Sequence, residues 1–207
     1  MIVKFENVYI RELVDSDLEM VRRWRNHPTV KRHLYTQVNI SQDDQLKWFE
    51  QQIKSSNRHF IIGAVGEDIG LISLTDFNKL KTSCTSNIFI GNLDYHNNQY
   101  PIILSIIFTI MGFDLLKIKE VKAEVLFSNL GAIKLNELLG FKRKREDKLK
   151  NAILYTFTPK DFEKEKSKLL KLLKLYYNRK ILHMEVNIRY FDLPTDEEGM
   201  FKSIELN

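Results

Sequence analysis

The chain has 207 residues, of which 43% are hydrophobic and 11% aromatic, and a formal net charge of +5 at pH 7. This length and hydrophobic content are enough for a large globular core, which excludes a disordered or fibrous protein. The single cysteine, Cys84, has no partner for a disulfide and no second thiol for a metal site, as expected in a reducing compartment. No basic and apolar leader opens the chain, and the apolar run 102–115 is shorter than a membrane span. We therefore predict a cytoplasmic protein without a membrane span.

Much of the excess positive charge lies between Lys142 and Lys180. Lysines in such a stretch usually form the solvated face of an amphipathic helix, and the aromatic and basic pattern of a nucleic-acid reader is missing. The histidines are scattered, without the i, i+4 spacing that indicates a metal site. The sequence therefore predicts neither a nucleic-acid partner nor a metal.

The first half of the chain predicts one strand, two helices and three antiparallel strands. The alternating segment 7–13 is typical of a half-buried strand, and the helix that follows ends before Pro28. Ser41 begins a second helix as its cap. Strands over 59–65 and 69–75 form a hairpin, and a third strand ends at Gly91.

The stretch 87–141 is where we expect the function to lie. It contains a strand ending at Gly91, a polar loop, a helix opened by Pro101, a strand over 121–125 and a helix from Asn129 to Gly140. A hairpin over 142–158, an amphipathic helix from Asp161 and an extended piece over 186–191 follow it. The simplest organisation is one α/β domain over 1–158, with 159–207 as a helix and extended tail packed on it.

The most specific pattern in this stretch is Asn129, Ala132 and the ending Leu138-Leu139-Gly140-Phe141. It resembles the second characteristic helix of the GNAT superfamily of acyl-CoA N-acyltransferases, and the order of elements over residues 5–158 resembles that family too. The resemblance implies an α/β fold with a mixed, mostly antiparallel central sheet flanked by helices, followed here by a C-terminal helical appendage. It also implies acetyl-CoA as the acyl donor.

In this family a strand parts from its neighbour and exposes amides to the pantetheine arm, while the next helix directs free N–H groups at the pyrophosphate. The positions that the resemblance assigns to acetyl-CoA are Ile88, Phe89, Ile90, Asn97, Asn98, Gln99, Tyr100, Ile102, Asn129, Ala132 and Asn136. The family's phosphate loop contains glycines, whereas this loop has none. Asn129 is expected both to cap its helix and to contact pantetheine.

Two further positions depart from the family pattern. Asn136 stands where a tyrosine commonly protonates the departing thiolate, and Thr85 stands where a glutamate often serves as a base. Losing a general acid or base typically costs about 10²- to 10⁴-fold, whereas positioning both reactants is worth roughly 7–11 kcal/mol. An enzyme that works by positioning is therefore expected.

The candidate catalytic residues are Asp76, Tyr95 and His96. Asp76 follows a strand that faces the acceptor in the resemblance, and it is a base or amine anchor or else a turn carboxylate. Tyr95 and His96 lie at the mouth of the polar loop, where either could orient a water.

Candidate substrate-binding residues come from the segments that resemble the branch acting on nucleotide-linked amino sugars: Arg11, Arg25, Asn26, His27, Trp48 and Thr75. Arg25 either forms a surface ion pair or binds a phosphate through its planar fork. For His27 a structural turn role is favoured over substrate contact, and for Trp48 packing is favoured over stacking on a base.

The resulting prediction is an N-acetyltransferase that moves an acetyl group to the amine of a nucleotide-linked amino sugar for a surface glycan. A protein or peptide N-acetyltransferase and a non-catalytic binding module of the same fold are the alternatives. A homodimer is a further expectation.

Overall fold

The structure, a computed structural model, describes residues 2–178 and the backbone of two later strands, 182–187 and 201–206. Within this part, ten strands form one sheet in the order β10-β9-β1-β2-β3-β4-β5-β6-β8-β7. The strands are β1 (Ile2–Phe5), β2 (Val8–Glu12), β3 (Arg58–Ala64), β4 (Glu67–Thr75), β5 (Ser83–Ile90), β6 (Glu120–Leu126), β7 (Lys142–Asp147), β8 (Ala152–Phe157), β9 (Leu182–Asn187) and β10 (Phe201–Leu206). Among these described strands, only the β5–β6 pair is parallel. The predicted mixed, mostly antiparallel α/β fold is confirmed.

Six α-helices surround the sheet in the described part of the chain: α1 (Leu18–Asn26), α2 (Pro28–Lys31), α3 (Gln42–Ile53), α4 (Tyr100–Ile110), α5 (Leu130–Leu139) and α6 (Pro159–Tyr177). A π-helical turn, Met111–Leu115, continues α4. Ser41 caps α3 by accepting from the Asp44 N–H, and Thr158 caps α6 by accepting from the Asp161 N–H. The predicted C-terminal helix is therefore present.

The sheet is covered on both faces. On one face α4 and α6 pack on the strands, and the Phe113 ring lies 5.3 Å from Phe157 and 5.1 Å from Phe162. On the other face Val21 of α1 packs with the buried Ile61 and Leu71. Because α6 contributes to the same core as the sheet, it packs on the domain; the division of the chain at residue 158 stays a prediction.

Two strands differ from the sequence-based expectation. The sequence did not predict β1, because the turn after it is made by Glu6 in a left-handed conformation, φ 51°, and so lacks the glycine or proline that usually marks a turn. Strand β9 begins at Leu182, earlier than the extended piece predicted over 186–191. Residues 188–191 of that piece lie outside the described residues.

Candidate active site

The strands β5 and β6 part in the middle of the sheet. They pair only over Ser83–Thr85 and Glu120–Lys122, although β5 continues to Ile90. The Gly91 N–H donates to Ile69 O on β4, so the odd-numbered residues of β5 make the hydrogen bonds to β4. The main-chain groups of Ile88 and Ile90 therefore face the opening between β5 and β6.

Two clefts meet at this opening. The wide cleft, about 590 Å³, lies between β5, the loop before α4, the start of α5 and the segment after α1. The narrow cleft, about 160 Å³, continues between Ser86–Phe89 and Ala123–Leu126. The residues that line both clefts, and so mark their junction, are His33, Leu34, Ile88, Phe89, Asn129, Ala132 and Leu135.

Asn129 is both a helix cap and part of the cleft wall. Its Oδ1 accepts from the Ala132 N–H at 3.1 Å, which leaves its Nδ2 group for a ligand. One turn later, Asn136 donates from Nδ2 to Ala132 O at 2.8 Å and lines the narrow cleft. Gly140 ends the helix in a left-handed conformation, φ 99°. The predicted cap is present, and contact with pantetheine stays a prediction.

The loop before α4 needs no glycine. In the described residues, every non-glycine with a positive φ lies outside 92–99. Asn98 accepts from the Tyr100 N–H at 3.1 Å, while the N–H groups of Asn97, Asn98 and Gln99 make no hydrogen bond within the described part. Successive free N–H groups beside a helix start suit an anion. The side chain of Lys134, on α5, adds a positive charge to the same cleft.

The clefts gather most of the predicted donor-binding positions. Gln99 and Tyr100 are the two that line neither cleft. The Tyr100 hydroxyl instead accepts from Asn7 Nδ2 at 3.0 Å. Asn97 and Asn98 of the loop therefore line the wide cleft, whereas Gln99 and Tyr100 form the start of α4.

One of the three candidate catalytic residues reaches the clefts. His96 lines the wide cleft, and its Nε2–H donates to Ile90 O at 3.0 Å. Tyr95 donates to Glu67 Oε2 at 3.1 Å and lies outside both clefts. Asp76 is exposed, with φ 53°, and follows the last β4–β5 pair. It lines neither cleft, and its role as a base, an amine anchor or a turn carboxylate stays a prediction.

Three candidate substrate-binding residues are engaged in holding the N-terminal segments. Arg11 donates to Asp17 and to Asp68, each at 2.7 Å, and these hydrogen bonds raise the pKa of Arg11 despite its partial burial. Asn26 exchanges two hydrogen bonds of 2.8 Å with the main chain of Ile40. His27 accepts from the Thr29 N–H at 3.3 Å, as a cap of α2.

Two of the other candidates, Arg25 and Trp48, belong to a polar cluster on the α1 and α3 face, together with His59 and Ser73. His59 Nδ1 lies 2.7 Å from Ser73 Oγ, and the Trp48 ring packs edge-on against the imidazole at 4.8 Å. Burial, followed by the charges of Arg25 and Arg58, lowers the pKa of His59 to about 4. The ring is therefore neutral near pH 7.

This cluster borders the narrow cleft. Ser73 is paired across the β4–β5 ladder with Asn87, which lines the narrow cleft and donates to Thr75 Oγ1 at 3.3 Å. Burial alone lowers the pKa of Arg25, and no described carboxylate forms an ion pair with it. A half-buried guanidinium without a counter-charge suits an anionic group on a ligand.

The sequence reasoning missed the wall formed by Thr29, Val30, His33, Leu34 and Tyr35, and also Glu124 and Lys134. The sequence predicts no helix or strand between Pro28 and Ser41. A histidine and a tyrosine between Pro28 and Ser41, outside any predicted core face, were the available signal. Partial burial, followed by the neighbouring Glu124 carboxylate, raises the pKa of Tyr35.

Among the described residues, no three or more histidine, cysteine or carboxylate side chains come together as metal ligands. In the same part of the chain, every helix is too short or too polar to cross a membrane.

A sheet that opens between two parallel strands, with clefts leading to the exposed main chain, defines an acyl-CoA-dependent N-acyltransferase. Residues 7–142 match the family described as acetyltransferase (GNAT) domain, and the chain belongs to this family. Its acyl donor is acetyl-CoA. The clefts fit that donor, because they join free N–H groups and a lysine to the exposed strand.

Similar proteins agree with this assignment. Acetyltransferase PseH from Campylobacter jejuni is 27% identical over 148 residues, which cover 70% of this chain and 88% of the relative. A Vibrio cholerae spermidine N-acetyltransferase, solved with CoA and spermine, has a TM-score of 0.69 at 18% identity and covers 76% of this chain and 98% of its own. A GNAT-family acetyltransferase from Bacillus anthracis has a TM-score of 0.65 at 18% identity, covering 77% and 99%. The two solved structures share the fold.

Proposed function

We propose that this protein transfers the acetyl group of acetyl-CoA to the amine of a nucleotide-linked amino sugar for a surface glycan. The observation that carries the acceptor is Arg25, a half-buried cation without an ion-pair partner in the described residues. It belongs to the polar cluster whose Ser73 is paired with Asn87, a residue of the narrow cleft. The match to acetyltransferase PseH and the resemblance of the N-terminal segments to the amino-sugar branch support this acceptor. The predicted cytoplasmic location and homodimer remain part of the proposal.

The wide cleft would hold the donor. Asn97, Asn98 and Lys134 lie where they can meet the phosphates, and Asn129 can donate from Nδ2 to an amide oxygen of pantetheine. The thioester would then lie at the junction of the clefts, where the Ile88 main chain faces the opening. An N–H group directed at the thioester oxygen stabilises the charge that develops there.

The acceptor would enter from the narrow cleft. Arg25 presents a planar fork that can bind a phosphate of the nucleotide through two parallel hydrogen bonds. Burial and the charges of Arg25 and Arg58 keep His59 neutral near pH 7, so its ring does not compete with Arg25 for that phosphate.

The chemistry relies on positioning. Asn136 has no acidic proton to give, and its Nδ2 is already bonded to Ala132 O at 2.8 Å. A thiol has a pKa of roughly 8.5, so CoA can leave as a thiolate or take a proton from water. Holding the amine and the thioester together lowers the activation barrier by roughly 7–11 kcal/mol. A general acid or base typically increases the rate by about 10²- to 10⁴-fold, which is a smaller contribution.

Ligand-dependent melting followed by thiol release tests this proposal. Acetyl-CoA at millimolar concentration should raise the melting temperature, since it binds the folded state. UDP-glucosamine and other sugar nucleotides with a free amine should then release CoA thiol, whereas N-acetylated versions should not. Turnover with peptide amines alone would defeat the sugar acceptor, and a melting temperature unchanged by acetyl-CoA would defeat the enzyme.

A further inference from the structure

His33 lies at the junction of the two clefts, in the turn that follows α2. It comes from a part of the chain remote in sequence from β5 and α5, which form the opposite walls. The residues with which it shares this position include Ile88, whose main chain faces the opening, and Asn129. A ligand that spans both clefts therefore lies near His33.

The hydrogen bond from Arg32 determines which ring nitrogen of His33 carries the proton. Arg32 Nε donates to His33 Nε2 at 3.1 Å. A guanidinium has only donors, so Nε2 accepts and the neutral ring carries its proton on Nδ1. Burial, with the charges of Arg32 and His96, lowers the pKa of His33 and favours this neutral form.

The Nδ1–H of His33 is buried and has no hydrogen-bond partner among the described residues. A buried N–H without an acceptor is costly, and in most folded proteins such a group is paired with protein, water or ligand. At a cleft junction, the missing acceptor is most simply supplied by a ligand. The expected hydrogen-bond acceptor is therefore an oxygen atom of a ligand that spans both clefts.

Resting on the acetyl transfer proposed above, we infer that His33 Nδ1–H donates to the thioester oxygen of acetyl-CoA, together with the main-chain N–H of Ile88. The donor fills the wide cleft and the amine arrives through the narrow one, so the thioester is the group that must lie at the junction. The pantetheine amides follow along the wide cleft, from Asn129 toward the loop before α4.

In the reaction, the amine nitrogen forms a bond to the thioester carbon, and the electron pair of the C=O bond moves to the oxygen. His33 and Ile88 donate to that negatively charged oxygen. The oxygen then restores the C=O bond as the C–S bond breaks, CoA leaves as a thiolate, and the amine proton passes to water. His33 gives up no proton in these steps, so its fixed tautomer is sufficient.

Two variants separate a donor from other roles. His33→Phe removes the N–H, whereas His33→Asn keeps a donor near the Nδ1 position. Infrared difference spectra of bound acetyl-CoA, isotope-labelled at the thioester carbonyl, report the hydrogen bond directly. The carbonyl band should lie at higher frequency in His33→Phe than in the wild type, and His33→Asn should stay close to the wild type.

With UDP-glucosamine as acceptor, kcat of His33→Phe should fall by about 10²-fold, as when one oxyanion donor is removed, and His33→Asn should recover most of it. The Kd of CoA, which lacks the thioester, should not change. An unchanged carbonyl band in His33→Phe would overturn the inference. A loss of CoA affinity as large as the loss of kcat would also overturn it, because it would indicate that His33 contacts pantetheine. A kcat of His33→Asn as low as that of His33→Phe would also overturn it, by indicating a proton acceptor.

If His33→Phe does not fold, as judged by its melting curve, His33→Ala gives the same readings with a smaller side chain. Failure of the wild type to bind acetyl-CoA would reject the proposed function itself, and this inference with it. If the wild type binds acetyl-CoA and turns over, but His33→Phe has an unchanged carbonyl band and kcat, only this inference is rejected and the proposed function stands.

Discussion

The two sides of the site are built in different ways. The proposed donor side, at the wide cleft, consists of main chain and amide side chains from two loops and helix starts, Asn97–Asn98 and Asn129–Ala132. The proposed acceptor side consists of side chains from four elements: Arg25 from α1, Trp48 from α3, His59 from β3 and Ser73 from β4. The donor side thus depends on local structure, and the acceptor side on tertiary packing that buries polar groups.

The acceptor side should make stability depend on pH. The pKa of His59 is lowered from 6.5 to about 4 by burial and by Arg25 and Arg58, so the unfolded chain takes up this proton more readily than the folded one. Stability is then complete above pH 6.5 and falls as the pH decreases toward 4, by at most about 3 kcal/mol. Urea unfolding between pH 7 and pH 4 should show this loss.

His59→Asn is the matched variant for that measurement, since it cannot be protonated but can still hydrogen-bond. Its free energy of unfolding should fall less steeply over the same pH range. Equal slopes for the two proteins would show that His59 titrates normally in the folded state and that the cluster is open to water.

Arg25→Met should separate the acceptor side from the donor side. Losing a charged hydrogen bond to a phosphate should raise KM for UDP-glucosamine by about 10- to 10²-fold, while the Kd of acetyl-CoA stays the same. Arg23→Met, on the same helix but at an exposed position, serves as the control. A loss of acetyl-CoA affinity in Arg25→Met would mean that the two sides are not separate.

Asn129→Asp and Asn129→Ala should divide the two roles of this residue on the donor side. Aspartate keeps the cap to the Ala132 N–H but has no Nδ2 donor, so CoA should bind about tenfold more weakly at nearly unchanged stability. Alanine should lose the affinity and about 1 kcal/mol of stability as well. If Asn129→Asp binds CoA like the wild type, Asn129 is a cap alone.

Lys134→Gln should have the smallest effect, because this lysine is exposed. We expect a two- to threefold increase in the Kd of CoA at low salt, which disappears at high salt through screening. Lys171→Gln, an exposed lysine on α6 away from the clefts, should leave the Kd unchanged. Equal effects of the two changes would point to net charge instead of a contact in the wide cleft.

The same contrast explains what the sequence could predict. Donor-side positions follow a local pattern, Asn129, Ala132 and Gly140, and the structure brings most of them to the clefts. The loop without glycine also has a local reason, since its backbone takes no left-handed conformation. The polarity of this loop can be predicted from the sequence, whereas its backbone φ angles cannot.

Acceptor-side residues could not be grouped in this way. Arg11, Asn26 and His27 are candidates by resemblance, but their side chains are hydrogen-bonded to Asp17, Ile40 and Thr29. His59 and Ser73 have no local signature, because their hydrogen bond forms only when β3 and β4 pair. The same is true of His33, which reaches the clefts only through the turn after α2.

The most direct test of two separate sides at one junction is isothermal titration of wild type, Asn129→Asp and Arg25→Met with CoA and with UDP-glucosamine. We predict weaker CoA binding in Asn129→Asp alone and weaker UDP-glucosamine binding in Arg25→Met alone. Weakening of both ligands by either change, or no binding of UDP-glucosamine by the wild type at millimolar concentration, would contradict this account of the site.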